Sequence, residues 1–202
     1  MNIRIWPAMA VALVLSACTG GGGGGPRDNP VSNVFDICRM YAENPHWAEA
    51  ATEAERRWGV PQEVKMAIIW RESAFRAEAR PPYRKVLGVP TGERLSSAYG
   101  FPQAIDGTWA WYLSDANADE AARNRFEDAI DFVGWYVNKT IDLNGIAPTD
   151  AYNQYLAYHE GHAGYRSGRW RSKAWLRKAA RDVALQAERY RAQLGRCDGR
   201  RA

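Results

Sequence analysis

Glu72 is the residue in this chain best placed for acid–base chemistry. It sits in the run from Val60 to Arg76, VPQEVKMAIIWRESAFR. Pro61 suits a first helical turn, where its missing N–H costs nothing, and Gln62 and Glu63 follow where polar and acidic groups favour the helix dipole. Val64, Ile68 and Phe75 recur at helical spacing and form an apolar stripe. Glu72 lies one turn after Ile68, at the edge of that stripe. A carboxyl there is partly desolvated, which disfavours its charged form and raises its pKa. That is what a general acid near neutral pH requires. The same spacing allows a plainer reading. Arg76 follows Glu72 at i+4, the favourable orientation for a solvated surface ion pair.

Other constellations fall away on spacing. His159-Glu160-Gly161-His162 sets its histidines at i and i+3, and Gly161 ends the helix inside the motif, whereas a zinc-binding helix needs i and i+4. His46, the remaining histidine, has no spacing that links it to them, so no metal set is expected. There is no G-x-S-x-G elbow and no phosphate-binding glycine loop after a strand. No cofactor is expected. Arg166, Arg169, Arg171, Lys173, Arg177, Lys178 and Arg181 make the region of the last helix basic. A solvated helix face accounts for this, with an anionic envelope polymer or lipid head group as the alternative.

The elements that must position Glu72 read as helices: Val34 to Tyr41, Trp47 to Trp58 closed by Gly59, the Glu72 helix, and a short one opening at Asp106. One or two more span residues 118–143. Another is opened by Pro148-Thr149-Asp150 and closed by Gly161, residues 164–168 read as loop, and a last helix runs from Ser172 to about Leu194, burying Trp175, Leu176, Ala180, Val183, Leu185 and Tyr190. No stretch alternates with period two over strand length, so the fold class is all-α, with a small strand element possible in residues 83–98. Pro90-Thr91-Gly92 marks a turn there. With 202 residues, 46% hydrophobic and 25% charged, the chain can bury one core.

The first residues read as an address. Arg4 and the apolar run Ala8 to Leu15, too short to span a bilayer, precede Leu15-Ser16-Ala17-Cys18, which resembles the lipobox of bacterial lipoproteins. That resemblance implies cleavage before Cys18 and its acylation. Thr19 in place of aspartate leans toward the outer membrane rather than the inner one. Six glycines, Gly20 to Gly25, then make a flexible tether. The organisation expected is a signal peptide over 1–17, a lipidated cysteine and tether over 18–31, and a folded domain over 32–202, lipid-anchored in the envelope on the periplasmic side. An exported chain argues against nucleic acid as partner. Cys38 and Cys197 remain, and an oxidising compartment favours a bridge between them over two free thiols.

Three stretches then act together: Glu72-Ser73-Ala74-Phe75, Ser97-Ala98-Tyr99-Gly100-Phe101-Pro102-Gln103, and Leu156-Ala157-Tyr158-His159-Glu160-Gly161. In this order, each on or beside a helix, they resemble the E-S-x-F, G-L-M-Q-like and A-Y-N-x-G-like segments of the lytic transglycosylases of the soluble-lytic-transglycosylase (SLT) domain superfamily. The resemblance spans roughly Val60 to Gly164. It implies a lysozyme-like α-helical fold and cleavage of the MurNAc–GlcNAc bond of peptidoglycan glycan strands, leaving 1,6-anhydro-MurNAc ends. By the same resemblance Glu72 matches the catalytic glutamate, Ser73 the serine that helps place it, Gln103 a sugar-contacting glutamine and Tyr158 the tyrosine beside the glutamate. Tyr152 is held in reserve for that last role, because Ala151-Tyr152-Asn153 spells part of the motif more literally. His159 stands where the family usually has Asn, and Phe101-Pro102 replaces Leu-Met. Trp70, Tyr99, Trp109 and Tyr112 are candidates to hold sugar. Two rivals remain. A hydrolytic muramidase would want a second carboxylate, Asp106 or Glu160. A silent wall-binding scaffold would have kept the fold without the activity.

Overall fold

The computed structural model describes residues 28–197. The signal segment 1–17, Cys18 and the six-glycine run lie outside the described residues. Residues 28–31, read as the end of the tether, are instead tied to the domain. The Asp28 carboxylate accepts from Trp47 Nε1 at 2.6 Å and contacts His46 Nε2 at 2.9 Å, and Asn29 N donates to Asn44 Oδ1 at 2.6 Å.

Helix α1 (Ile37–Glu43) starts at Asp36, whose side chain accepts from Arg39 N. Helix α2 (Pro45–Trp58) carries proline in its first turn and ends at Gly59, left-handed at φ 67°, a conformation glycine adopts without strain. Helix α3 (Gln62–Ser73) differs from the single stripe expected. Val64, Lys65, Met66, Ala67, Ile68 and Ile69 are all buried in succession, so this is a core helix apolar nearly all round. Helix α8 (Ala174–Cys197) is its main packing partner, and α5 (Phe126–Asn144) lies against both α3 and α2. Lys65 is accommodated because its Nζ donates to the carbonyls of Val60 at 2.8 Å and Ala51 at 3.2 Å.

The strand element is a hairpin, β1 (Tyr83–Val86) against β2 (Val89–Arg94), antiparallel. Its turn is Leu87-Gly88, with φ 48° and 84°, the two positive values of a type I′ connection. Pro90-Thr91-Gly92 is therefore not the turn. It lies within β2, where the pairing register shifts.

Helix α4 (Asp106–Ala116) follows. Residues 118–125, expected to be helical, form turns instead, with Ala122 N held by the Asp128 carboxylate at 2.8 Å. Helix α6 (Ala151–Glu160) is capped by Asp150, and a short α7 (His162–Arg166) occupies part of the expected loop. In α8 the buried apolar set is Leu176, Ala179, Ala180, Val183, Ala187 and Tyr190, with Gln186 buried beside it, an i, i+3/i+4 progression. Trp175 and Leu185 fall outside its phase and are exposed, at 56% and 62%, contrary to expectation.

Cys38 and Cys197 are joined, at a sequence separation of 159 residues. Around them Gln193 bonds Ile37 N and Phe35 O, both at 3.0 Å, and the Tyr190 hydroxyl donates to Val34 O. The two ends of the domain are thus clasped together. Loop-closure entropy for so long a loop gives about 5 kcal/mol of stabilisation. Denaturant unfolding of a Cys38→Ser, Cys197→Ser double variant is expected to show a loss of several kcal/mol, and reductant to lower the wild-type midpoint but leave the variant unchanged.

Candidate active site

Helix α3 ends one residue after Glu72 because Ala74 and Phe75 both take positive φ, 51° and 59°. That reversal sends Phe75 into the core, stacked on Trp47 at 5.7 Å. It also removes the turn that would have set Arg76 beside Glu72. Arg76 Nε donates instead to Ser73 O at 2.9 Å, so the solvated-pair reading of Glu72 is not realised.

Glu72 lines a groove of about 460 Å³ together with Gln103, Tyr136, Tyr158, His159 and Glu160. The residue as a whole is half-buried, but its Oε1 is out of reach of solvent and has no hydrogen-bond partner. Desolvation pushes the Glu72 pKa up to about 7, opposed by the Tyr155 hydroxyl that faces the carboxyl and by the charge of Arg71. Desolvation prevails because a single neutral donor and a solvated guanidinium recover only part of what water would supply.

The second stretch is held in place through its backbone. Gly100 has φ 75°, and a Cβ there would lie 2.0 Å from the carbonyl oxygen of Arg123; the same carbonyl accepts from Phe101 N at 3.0 Å. Phe101 is buried edge-on to Trp47 and Phe126, at 5.8 and 5.7 Å. Pro102 contributes its carbonyl, which accepts from the Tyr158 hydroxyl at 2.6 Å. Gln103, at φ 50°, donates its amide to the carbonyls of Ala79 and Gly100, both at 2.9 Å. Its carbonyl oxygen is left as the group it can offer.

From the third stretch, Tyr158 and His159 both reach the groove, whereas Tyr152 lines a separate depression with Glu63, Asp150 and Glu188. Tyr155, which the sequence motifs do not single out, is buried one helical turn before His159. Its spacing to Tyr158 and His159, i, i+3 and i+4, was the available signal. Burial lowers the His159 pKa, and its ring lies 5.1 Å from Trp175. Glu160 would be pushed up by burial, but Lys173 Nζ at 2.6 Å and Arg169 Nε at 3.5 Å outweigh this and its pKa falls.

Other expected contributors lie elsewhere. The buried Ser73 hydroxyl bonds Ile69 O at 3.2 Å and does not line the groove. Tyr99 donates to the Glu78 carboxylate and lies 4.0 Å under Arg80, outside the groove lining. Trp109 and Tyr112 are core residues around Phe132, and Trp70 packs on Phe35 at 5.8 Å. The aromatic surface of the groove comes from Phe132, Tyr136 and Tyr158. Asp106 is exposed and paired with Arg123 at 2.8 Å. His162 stacks on Tyr136 at 4.4 Å and contacts Thr140 Oγ1 at 3.0 Å, turned to a different neighbour from His159.

The family described as Transglycosylase SLT domain matches residues 7–197, and the chain belongs to that family. The fold is accordingly the α-dominant, lysozyme-like SLT domain, and the activity class is that of lytic transglycosylases acting on peptidoglycan. No curated protein matches the chain.

The Glu72 environment has a stability signature. Its folded pKa of about 7 lies above the ordinary 4.5, so the folded state holds the proton more tightly. Its contribution is fully present below the unfolded pKa and is lost as pH rises through the folded one. Glu72→Gln is therefore expected to gain stability over wild type at pH 8 but not at pH 4, by at most about 3 kcal/mol and less where the groove solvates the carboxyl. Urea unfolding of both proteins at the two pH values measures it.

Proposed function

We propose that the protein cleaves the MurNAc–GlcNAc bond of peptidoglycan without consuming water, using Glu72 as general acid and then as base. The observation that carries this reading is the groove-facing carboxyl of Glu72, with one oxygen dry and unpartnered and a pKa near 7. Protonated Glu72 gives its proton to the glycosidic oxygen as the bond to C1 of MurNAc breaks, and GlcNAc leaves with a free hydroxyl. The oxocarbenium-like charge at C1 is met by the substrate's own N-acetyl group. Ionised Glu72 then takes the proton of the MurNAc C6 hydroxyl, and that oxygen closes on C1 to give the 1,6-anhydro ring. Glu72 ends protonated, ready for another cycle.

The remaining residues supply position rather than proton transfer. Tyr158, held by Pro102 O, and Tyr136 give the groove an apolar wall that limits water. Gln103 presents an acceptor on a side chain already immobilised at its nitrogen. His159, kept toward the neutral form by burial, offers a further hydrogen-bonding group in the groove lining.

Hydrolysis would need a second carboxylate free to activate water. Glu160 lines the groove, but Lys173 and Arg169 hold its oxygens, and Asp106 is paired at the surface. Both observations support the anhydro outcome over the muramidase one. The retained acid supports an active enzyme over a silent wall-binding scaffold. The working location we infer is the periplasmic side of the envelope, with Cys18 lipidated and the outer membrane favoured over the inner.

Mass spectrometry of soluble products from purified sacculi tests the reading. Muropeptides ending in anhydro-MurNAc are expected, and reducing MurNAc ends would point to hydrolysis. Glu72→Gln should lower turnover by about three orders of magnitude or more, with binding to sacculi retained; a fully active Glu72→Gln would sink the assignment. The rate with wild type should fall as pH rises through about 7, as Glu72 loses its proton.

A further inference from the structure

The hairpin β1–β2 takes no part in the groove chemistry, and among the described residues no helix packs against it. Both its faces are open to solvent along nearly its whole length. Its base is secured: Arg94 Nη1 donates to Pro81 O at 2.7 Å, with its guanidinium 4.3 Å from the Tyr83 ring. Its tip is not. Val86 is 58% exposed, Leu87 99% and Val89 66%.

Three separate costs meet at this tip. A two-stranded hairpin alone in water is marginal. Leu87 holds φ 48° in a turn that Asn, Asp and Gly occupy with less strain. Three aliphatic side chains stand together in solvent, which is unfavourable in proportion to their exposed area. Among the described residues no other element packs on the tip to offset any of them, so the tip is built for something outside the domain.

The chemistry of the tip narrows what that is. Sugar faces are met by flat aromatic rings, and the tip has only aliphatic side chains. A stable protein interface takes about 800 Å² from each partner, more than three residues on a narrow ribbon present. Behind the tip are Arg84 and Lys85, with Arg94 at the base and Glu93 as the hairpin's one acid. At about 3.3 Å per strand residue, Lys85 and Arg84 follow Leu87 by roughly 7 and 10 Å. That matches an apolar end reaching roughly 5–10 Å into a bilayer interface with cations at the level of the head groups.

We propose that this hairpin is a membrane-contacting finger: Val86, Leu87 and Val89 enter an anionic phospholipid surface while Arg84 and Lys85 engage its phosphates. Pro81 and Ser96, which flank the hairpin, also line the groove, so the contact fixes how the groove faces the bilayer. The proposal stands apart from the assignment of Glu72.

The test uses the full chain carrying Cys18→Ser, with a polarity-sensitive dye at Leu87→Cys or, for comparison, at Thr52→Cys on α2. Any attachment through the N-terminal segment tethers both proteins equally. On phosphatidylglycerol vesicles the dye at position 87 should shift to the blue and be quenched by lipid-borne quenchers, while the dye at 52 should not respond. Arg84→Glu with Lys85→Glu should weaken the apparent vesicle affinity read at 87 by at least about tenfold. The proposal is overturned if the dye at 87 stays aqueous on these vesicles. An equal response on phosphatidylcholine, or a response to sacculi alone, overturns it as well.

Discussion

The carboxyl of Glu72, with one oxygen dry yet bordering a groove, is the constraint on which the rest of this fold turns. Dryness requires that α3 be enclosed almost all round, which α8 and α5 provide. Reachability requires that the enclosure stop at Glu72. The positive φ values of Ala74 and Phe75 end the helix there, and the groove opens over its last turn. The strain of two non-glycine residues in the left-handed region is offset by what the reversal delivers, since it carries Phe75 to Trp47. Trp47 then gathers Phe75, Phe101 and Phe126, which ties the turn after Glu72, the stretch that carries Gln103 and the start of α5 to one ring. The aromatic cluster behind the site and the acid within it are consequences of the same chain reversal.

Burial is applied to ionisable groups on α3 twice, with opposite local remedies. Lys65, two turns before Glu72, has carbonyl acceptors for its ammonium, and desolvation still lowers its pKa to about 8. Glu72 has one oxygen with no partner and drifts upward to about 7. Glu160, also with a buried side chain, has a lysine and an arginine within 3.5 Å and moves downward. Two glutamates bordering one groove are thereby driven apart, Glu72 toward its acid form and Glu160 toward its anion. Divergence of this kind follows from which cations stand beside each carboxylate, not from depth alone.

Much of this was legible from the residues. The helices announce themselves by period and caps, and Glu72 stands out because it borders an apolar run. The errors share a physical origin. The end of α3 is set by Ala74, a residue with no intrinsic preference for the left-handed region, so the ion pair with Arg76 looked available. The hairpin turn falls at Leu87-Gly88 rather than at Pro90-Thr91-Gly92 because tertiary contacts at Pro81 and Arg94 fix where the strands begin. Trp175 and Leu185 are apolar but out of phase with the buried stripe of α8. Tyr155, facing Glu72, was hidden by ambiguity between two tyrosines that bracket it, and Ser73 points into the core where adjacency in sequence suggested contact with the acid.

The departures from the family pattern are best understood by asking which atoms each position uses. Pro102 is used through its carbonyl, which any residue supplies, so the change from methionine leaves the hydrogen bond from Tyr158 possible. Phe101 is used as volume, filling a space between Trp47 and Phe126 that leucine would fill less completely. Gly100 is used as an absence, because the Arg123 carbonyl occupies the room a side chain would need, and that position keeps its glycine. His159 is the one change that alters a polar group facing the groove. An asparagine there presents an amide with fixed donor and acceptor, whereas a neutral imidazole presents one of each only while it stays unprotonated. Burial keeps it so against the pull of the Glu160 carboxylate, 3.6 Å from its Nδ1, and Lys173 and Arg71 add to the cost of protonating it. The substitution is therefore tolerable because of its surroundings, which bind the His159 position and the Glu160 ion cluster into one unit.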